Sequence, residues 1–410
     1  MSRESVRPRY DAVVDLHPRQ DVPIRAYGIV KFTYDVLSGQ CVPIEPEPLA
    51  LDIRDPEVKF PAGSDFWPFK GQTDVLVLGN AYPKNGLPAA QSSVQVSVGN
   101  RHKRIQVWGK RHLEFGRDGT PSIGAAEPFT EMHIGLENAY GGADERVPVK
   151  DGPLTVGDHE RLLSDHPGMY PRNPFGKGYV VHEEPFPGIE LHNLDDPQDP
   201  LTAERILVKD PRQWWKQPLP WSLDWVHAIQ WPRIALVGAD AWFPAPQDAV
   251  VDEVRRGFLP KDWRKIMRGA TPHFQPAPIF FQEASYGMTF AELREGTPIT
   301  VDGMHPEGRT ITFKMPAEPR LQIHIEGQRE VLPSQLTNLV IHPADGKVTM
   351  TYSTSTAKLP RVFIPGVHGK IPLSMVVSND APIVYDTPTP VRELLKQAGP
   401  AAKPNAAGGK

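Results

Sequence analysis

Residues 170–200 read YPRNPFGKGYVVHEEPFPGIELHNLDDPQDP, and neither a regular helix nor a central strand can run through them. Pro171, Pro174, Pro185, Pro187, Pro197 and Pro200 each fix φ and remove a backbone donor, and Gly176, Gly178 and Gly188 open left-handed backbone. The segment also carries Phe175, Tyr179, Val180, Val181, Phe186, Ile189 and Leu191. A disordered linker lacks such apolar content. The expectation is a long, shaped, partly buried loop, and ordered loops of this length inside a compact protein are usually functional.

Proline is the compositional outlier, at 46 of 410 residues, roughly twice the usual ~5%. The prolines are spread along the chain, which favours many short strands and turns over long helices. The fold expected is therefore mainly β (α+β). It would comprise antiparallel, sandwich-like lobes with long Pro/Gly-rich loops and a few short helices. A formal net charge of −4 gives no general electrostatic reason to bind nucleic acid or an anionic membrane. A single cysteine, Cys41, excludes an internal disulfide and a multi-cysteine metal site. The start, MSRESVRPRYDAVVDL, has no signal-peptide pattern, and no window is apolar enough for a transmembrane helix. A cytoplasmic location is the expectation.

Alternation at period two locates the strands. Two are expected between Tyr10 and Leu37, around a turn at 18–23, and a buried one follows at Asp74–Gly79. Val94, Val96 and Val98 share one face, Gly99-Asn100 turns the chain, and Ile105 and Val107 return. Pro128–Leu136 includes a short extended piece. Further strands are expected at 234–238, 297–301, 310–315, 321–325, 338–341 and 347–352, the last two joined by a turn ending in Asp345-Gly346. Short helices are expected at 248–256, 262–267 and 391–397. The division expected is 1–200 (including the shaped loop), 201–398 (the tryptophan-rich segment and a second β-rich lobe) and a disordered tail at 399–410.

Chemistry is harder to find. The sequence has no G-x-S-x-G elbow, Walker loop, dinucleotide fingerprint or H-E-x-x-H helix. His133, His159, His166, His182 and His192 crowd one stretch with several carboxylates, but no pair takes metal-ligand spacing on a helix. The doublets Asp195-Asp196 and Glu183-Glu184 point to opposite sides of an extended chain, so neither makes an acid/base pair; an Asx turn at Asp196 before Pro197 is the simpler reading. Arg101-His102-Lys103-Arg104 reads as a solvated hairpin tip. Residues 201–245 hold Trp214, Trp215, Trp221, Trp225, Trp231 and Trp242. Tryptophan serves both cores and interface hot spots, and about half are expected in the core, with one or two facing a partner.

Several segments, in order, resemble one family. They are Thr73–Tyr82 (TDVLVLGNAY), Val94–Gly99, Pro128–Met132 with Glu137–Gly142 (ENAYGG), Tyr170–Gly178 (YPRNPFGKG), Leu191–Pro197 (LHNLDDP), Pro232-Arg233 with Phe258–Pro260, and Asn338–Ile341. The sequence departs from the family pattern at Tyr352-Ser353, where Trp-Arg is expected. In this order the pieces resemble an accessory family of bacterial type VI secretion clusters, long classed as a domain of unknown function. That resemblance implies a cytoplasmic effector adaptor or chaperone and no enzyme or cofactor. Its partners would be a secreted effector, often with a PAAR-repeat domain, and the valine–glycine-repeat spike. Together with the loop reading, the residues expected at a partner surface are Arg172, Asn173, Phe175, Lys177, Trp214, Trp215, Trp221 and Trp225. The alternatives weighed are a carbohydrate-binding or carbohydrate-processing β-protein and a histidine-based metal-dependent hydrolase.

Overall fold

Alternating valines build the centre of the molecule. The computed structural model describes residues 9–15, 25–49, 65, 72–147, 168–170, 172–173, 175–181, 188–224, 282–325, 328–332, 334–355, 373–378 and 383–386. Strands Gln91–Val98 and Arg101–Trp108 pair antiparallel, with Val94 opposite Ile105 and Val98 opposite Arg101. Val94, Val96, Val98, Ile105 and Val107 are buried, while Gln95 between them is exposed. Burying each such side chain contributes about 1.5–3 kcal/mol. This is why the alternation fixes which face turns inward.

Two large sheets carry the fold, which is mainly β. One has seven strands. Six of them run in the order Arg9–Asp15, Arg25–Asp35, Lys347–Ser355, Gln335–His342, Thr73–Val77, Thr289–Phe290, and Val42–Ile44 adds to Arg25–Asp35. The other has five, in the order Leu194–Asp195, Arg101–Trp108, Gln91–Val98, Pro298–Asp302, Ile311–Lys314. Side chains from both sheets share one apolar core, among them Val30, Leu76, Val96, Ile299, Phe313, Leu339 and Met350. A separate four-stranded sheet joins Gln328–Leu332, Arg320–Ile325, Leu373–Ser378 and Ile383–Asp386.

The long pairings are antiparallel, with one exception. Thr73–Val77 runs parallel to Gln335–His342. It lies between that strand and Thr289–Phe290, and all five of its residues are buried. This explains its unbroken apolar run. Both large sheets draw strands from either side of residue 200, so the sheets themselves do not divide there. The turn Pro343–Asp345 closes the hairpin of Gln335–His342 with Lys347–Ser355, as its Asp-Gly sequence predicts. Helical pieces among the described residues are 3-10 turns of three to six residues. The expected turn at 18–23, strand at 234–238, helices at 248–256, 262–267 and 391–397, and tail at 399–410 lie outside the described residues.

Candidate functional site

The described part of the proline- and glycine-rich segment is held by backbone hydrogen bonds and by one side-chain amide. Asn173 lies inside the protein, and its side-chain amide donates to the carbonyls of Leu136 (2.7 Å) and Tyr140 (3.2 Å). Its own carbonyl accepts from Gly142 N–H at 2.8 Å, and Tyr170 N–H donates back to the Gly142 carbonyl at 2.9 Å. Tyr140-Gly141 then pairs parallel with Lys177-Gly178. Two backbone segments cross at van der Waals distance here. A Cβ at Gly141 would stand 2.1 Å from the Asn173 carbonyl oxygen, and one at Gly142 would stand 2.4 Å from that of Gly176. The YPRNPFGKG and ENAYGG segments are two halves of one interlock, which accounts for both glycine pairs.

Beneath the crossing lies a second core. Tyr140, Tyr170 and Tyr179 pack with ring centroids 5.2–6.3 Å apart. Trp214 meets Tyr170 edge-on at 6.5 Å. Burial pushes the Tyr140 hydroxyl well above its ordinary range. That group donates to Gln217 Oε1 at 3.1 Å, and Tyr170 donates to the Pro218 carbonyl at 2.8 Å.

A charged knot locks the end of the loop to the five-stranded sheet. Asp195 Oδ2 accepts from Arg111 Nη2 at 2.7 Å and from Trp108 Nε1 at 3.0 Å, and its Oδ1 meets His192 Nε2 at 2.5 Å. Burial raises the Asp195 carboxyl, but His192 and Arg111 outweigh it and hold the group well below the usual carboxylate range. His192 and Asp195 resemble a catalytic dyad in spacing alone. His192 is fully buried, with the Tyr140 ring 5.2 Å from its own, so the pair is closed off from solvent. Next to it, Asp196 accepts from Gln198 N–H at 2.9 Å, making the Asx turn its sequence predicts.

The expected partner-surface residues therefore separate by burial. Arg172 is buried, with its guanidinium 5.1 Å over the Trp214 ring. Asn173 staples the interlock, and Trp214 is 1% exposed in the second core. Trp221 is 9% exposed, and its indole N–H donates to the Arg104 carbonyl at 2.8 Å. These four hold the fold together. A fully formed core is a better account of them than a contact surface, because a buried group must leave its packing to touch a partner. Phe175 is 50% exposed and stands beside the crossing. Lys177 is part-buried and reaches Glu190 at 2.6 Å, and Lys110 approaches the other Glu190 oxygen at 3.6 Å. Burial raises the Glu190 carboxyl, and the two lysines more than offset it, so it sits below its ordinary value. The site is an exposed aromatic ring on a pinned loop that also carries the Lys177–Glu190 ion pair. The side chains of Trp215 and Trp225 lie outside the described residues.

The basic run departs from expectation. Lys103 is 5% exposed, not solvated. Its ammonium donates to the carbonyls of Ser222 (2.6 Å) and Tyr286 (2.7 Å) and to Ser285 Oγ (3.0 Å), and it sits 4.1 Å over the Trp221 ring. Lys103 shares the parity of Ile105 and Val107, and this was the signal for its inward position. Lys31 is buried in the same way against Asp65 at 3.0 Å. Among the described residues, no group of three His, Cys, Asp or Glu side chains is placed to hold a metal ion. His133 lies at the surface beside Glu137, and His159, His166 and His182 lie outside the described residues. No described helix is long and apolar enough to cross a membrane.

No curated protein and no solved structure matches the chain. Residues 25–353 match the family described as "Uncharacterized protein conserved in bacteria (DUF2169)". That span includes both large sheets except the Arg9–Asp15 edge, the interlock and the Asp195 knot, and the chain belongs to this bacterial family.

Proposed function

We propose that this protein is an adaptor that holds another polypeptide. The occupant proposed is a type VI secretion effector with a PAAR-repeat or similar domain, carried in the bacterial cytoplasm and seated on the valine–glycine-repeat spike. The observation that carries the reading is Phe175, half-exposed on a loop whose backbone is fixed by the Asn173 staple and the Gly141–Gly142 crossing. A side chain presented on rigid backbone loses little ordering entropy when a partner covers it. The resemblance to the secretion-accessory family, carried by segments in sequence from Thr73 to Ile341, supports the choice of partner. The Lys110–Glu190–Lys177 rim offers both signs of charge, suited to fixing the register of a docked chain rather than to supplying bulk affinity. Handover to the spike requires moderate affinity only, and one aromatic anchor in a polar rim fits that.

Co-expression of the chain with the effector and spike proteins encoded beside it, followed by pulldown, tests the proposal. The expected result is a stable complex with an effector. Recovery of the folded chain alone overturns it. Coplanar exposed indoles binding an oligosaccharide would instead support the carbohydrate reading. The described Trp214 and Trp221 do not favour it, since both are buried.

A further inference from the structure

The edge of the seven-stranded sheet is self-complementary. Arg9–Asp15 reads RYDAVVD and pairs antiparallel with Arg25–Lys31 through seven successive residues without a register shift. It stands at the end of the strand order, and no other described strand pairs with its outer side. Long edge strands are usually blunted by proline, a bulge or an inward charge. This one has no proline, no glycine and no bulge, and its only guards are the charged residues Arg9, Asp11 and Asp15. Its inner ladder places Arg9 opposite Lys31, a like charge, and Asp15 opposite Arg25.

We infer that two copies of this chain associate through these edges, antiparallel about a two-fold axis at Ala12. That register sets Arg9 of one copy against Asp15 of the other at both ends. Tyr10 then meets Val14, Asp11 meets Val13, and Ala12 meets its own copy. Opposite charges and aromatic–β-branched pairs are the favourable cross-strand combinations, worth roughly 0.2–1 kcal/mol each. A two-fold axis makes each favourable pair occur twice, and the pairing covers the side of Arg9–Asp15 that no described strand occupies. The interface is small, so the association is concentration-dependent, and it is independent of the adaptor reading.

Sedimentation equilibrium of the full chain measures it. Wild type is expected to reach twice the 45.6 kDa chain mass as concentration rises. Arg9→Asp places Asp against Asp15, and Asp15→Arg places Arg against Arg9. Each alone is expected to raise the dissociation constant at least tenfold. Mixing the two folded variants restores opposite charge at both ends of a mixed dimer and is expected to recover wild-type affinity. The mixing arm separates the interface from any effect on folding, because each variant folds by itself before mixing and near-ultraviolet circular dichroism verifies that it has. A wild type that stays monomeric, single variants that dimerise as wild type does, or a mixture no tighter than its components each overturn the inference.

Discussion

Gly142 and Gly188 offer a matched test of the interlock. Both have φ of +91°, but a Cβ at Gly142 would meet the Gly176 carbonyl oxygen at 2.4 Å and its carbon at 3.1 Å, whereas a Cβ at Gly188 meets nothing within 4 Å. Alanine at either position carries the same left-handed backbone cost, about 1–2 kcal/mol. Only Gly142→Ala adds backbone overlap, and neither contact atom belongs to a side chain that can rotate away. Overpacking of this sort costs typically ~1–3 kcal/mol. Gly142→Ala should therefore lose about 1–3 kcal/mol more than Gly188→Ala, measured as the difference in urea-unfolding free energy at fixed pH. Equal losses, within about 0.5 kcal/mol, would refute the crossing as the element that fixes the loop, because the shared φ would then explain everything.

Further outcomes follow from individual charged groups. Asp195→Ala should destabilise by about 3–5 kcal/mol, since it leaves the buried Arg111 guanidinium without its carboxylate; chemical unfolding measures it. Lys103→Met should cost ~1–3 kcal/mol by leaving the Ser222 and Tyr286 carbonyls without this donor, read in the same assay. His342 is held below its ordinary value by burial first and by Lys347 next. In the folded state it resists a proton that the unfolded chain accepts near pH 6.5, so stability should fall as pH drops through that value. His342→Gln should flatten the slope between pH 7.5 and 5.5, and an unchanged slope counts against the assignment. His133 has the opposite sign: its hydrogen bond with Glu137 raises it, so its contribution is complete below its unfolded value and is lost as pH rises through the folded one.

Local alternation was the legible part of the sequence. The 91–108 hairpin, the buried run at 73–77 and the hairpin at 335–355 each declare themselves within a few residues, because side-chain period and turn chemistry are local. The parallel pairing of Thr73–Val77 with Gln335–His342 joins residues more than 250 positions apart, and no period encodes which strand lies beside which. The candidate site was half legible. Proline, glycine and aromatic content marked the 170–200 loop as shaped. The same content could not separate Phe175, which is exposed, from Trp214 and Arg172, which are buried, since tryptophan and arginine serve cores and interfaces alike. Lys103 was hidden by its own chemistry. Four successive basic or histidine residues suggest a solvated tip, but strand parity carries the third inward with Ile105 and Val107.

The central claim is that a fixed loop offers one aromatic ring to another polypeptide. Titration of a co-purified effector against wild type and Phe175→Ala, with Gly188→Ala as a loop variant away from the ring, tests it most directly. The account predicts at least a tenfold weaker complex for Phe175→Ala, about 1.4 kcal/mol or more, in a variant that near-ultraviolet circular dichroism shows to be folded, with Gly188→Ala binding as wild type. Wild-type affinity in Phe175→Ala, or an equal loss in both variants, contradicts it.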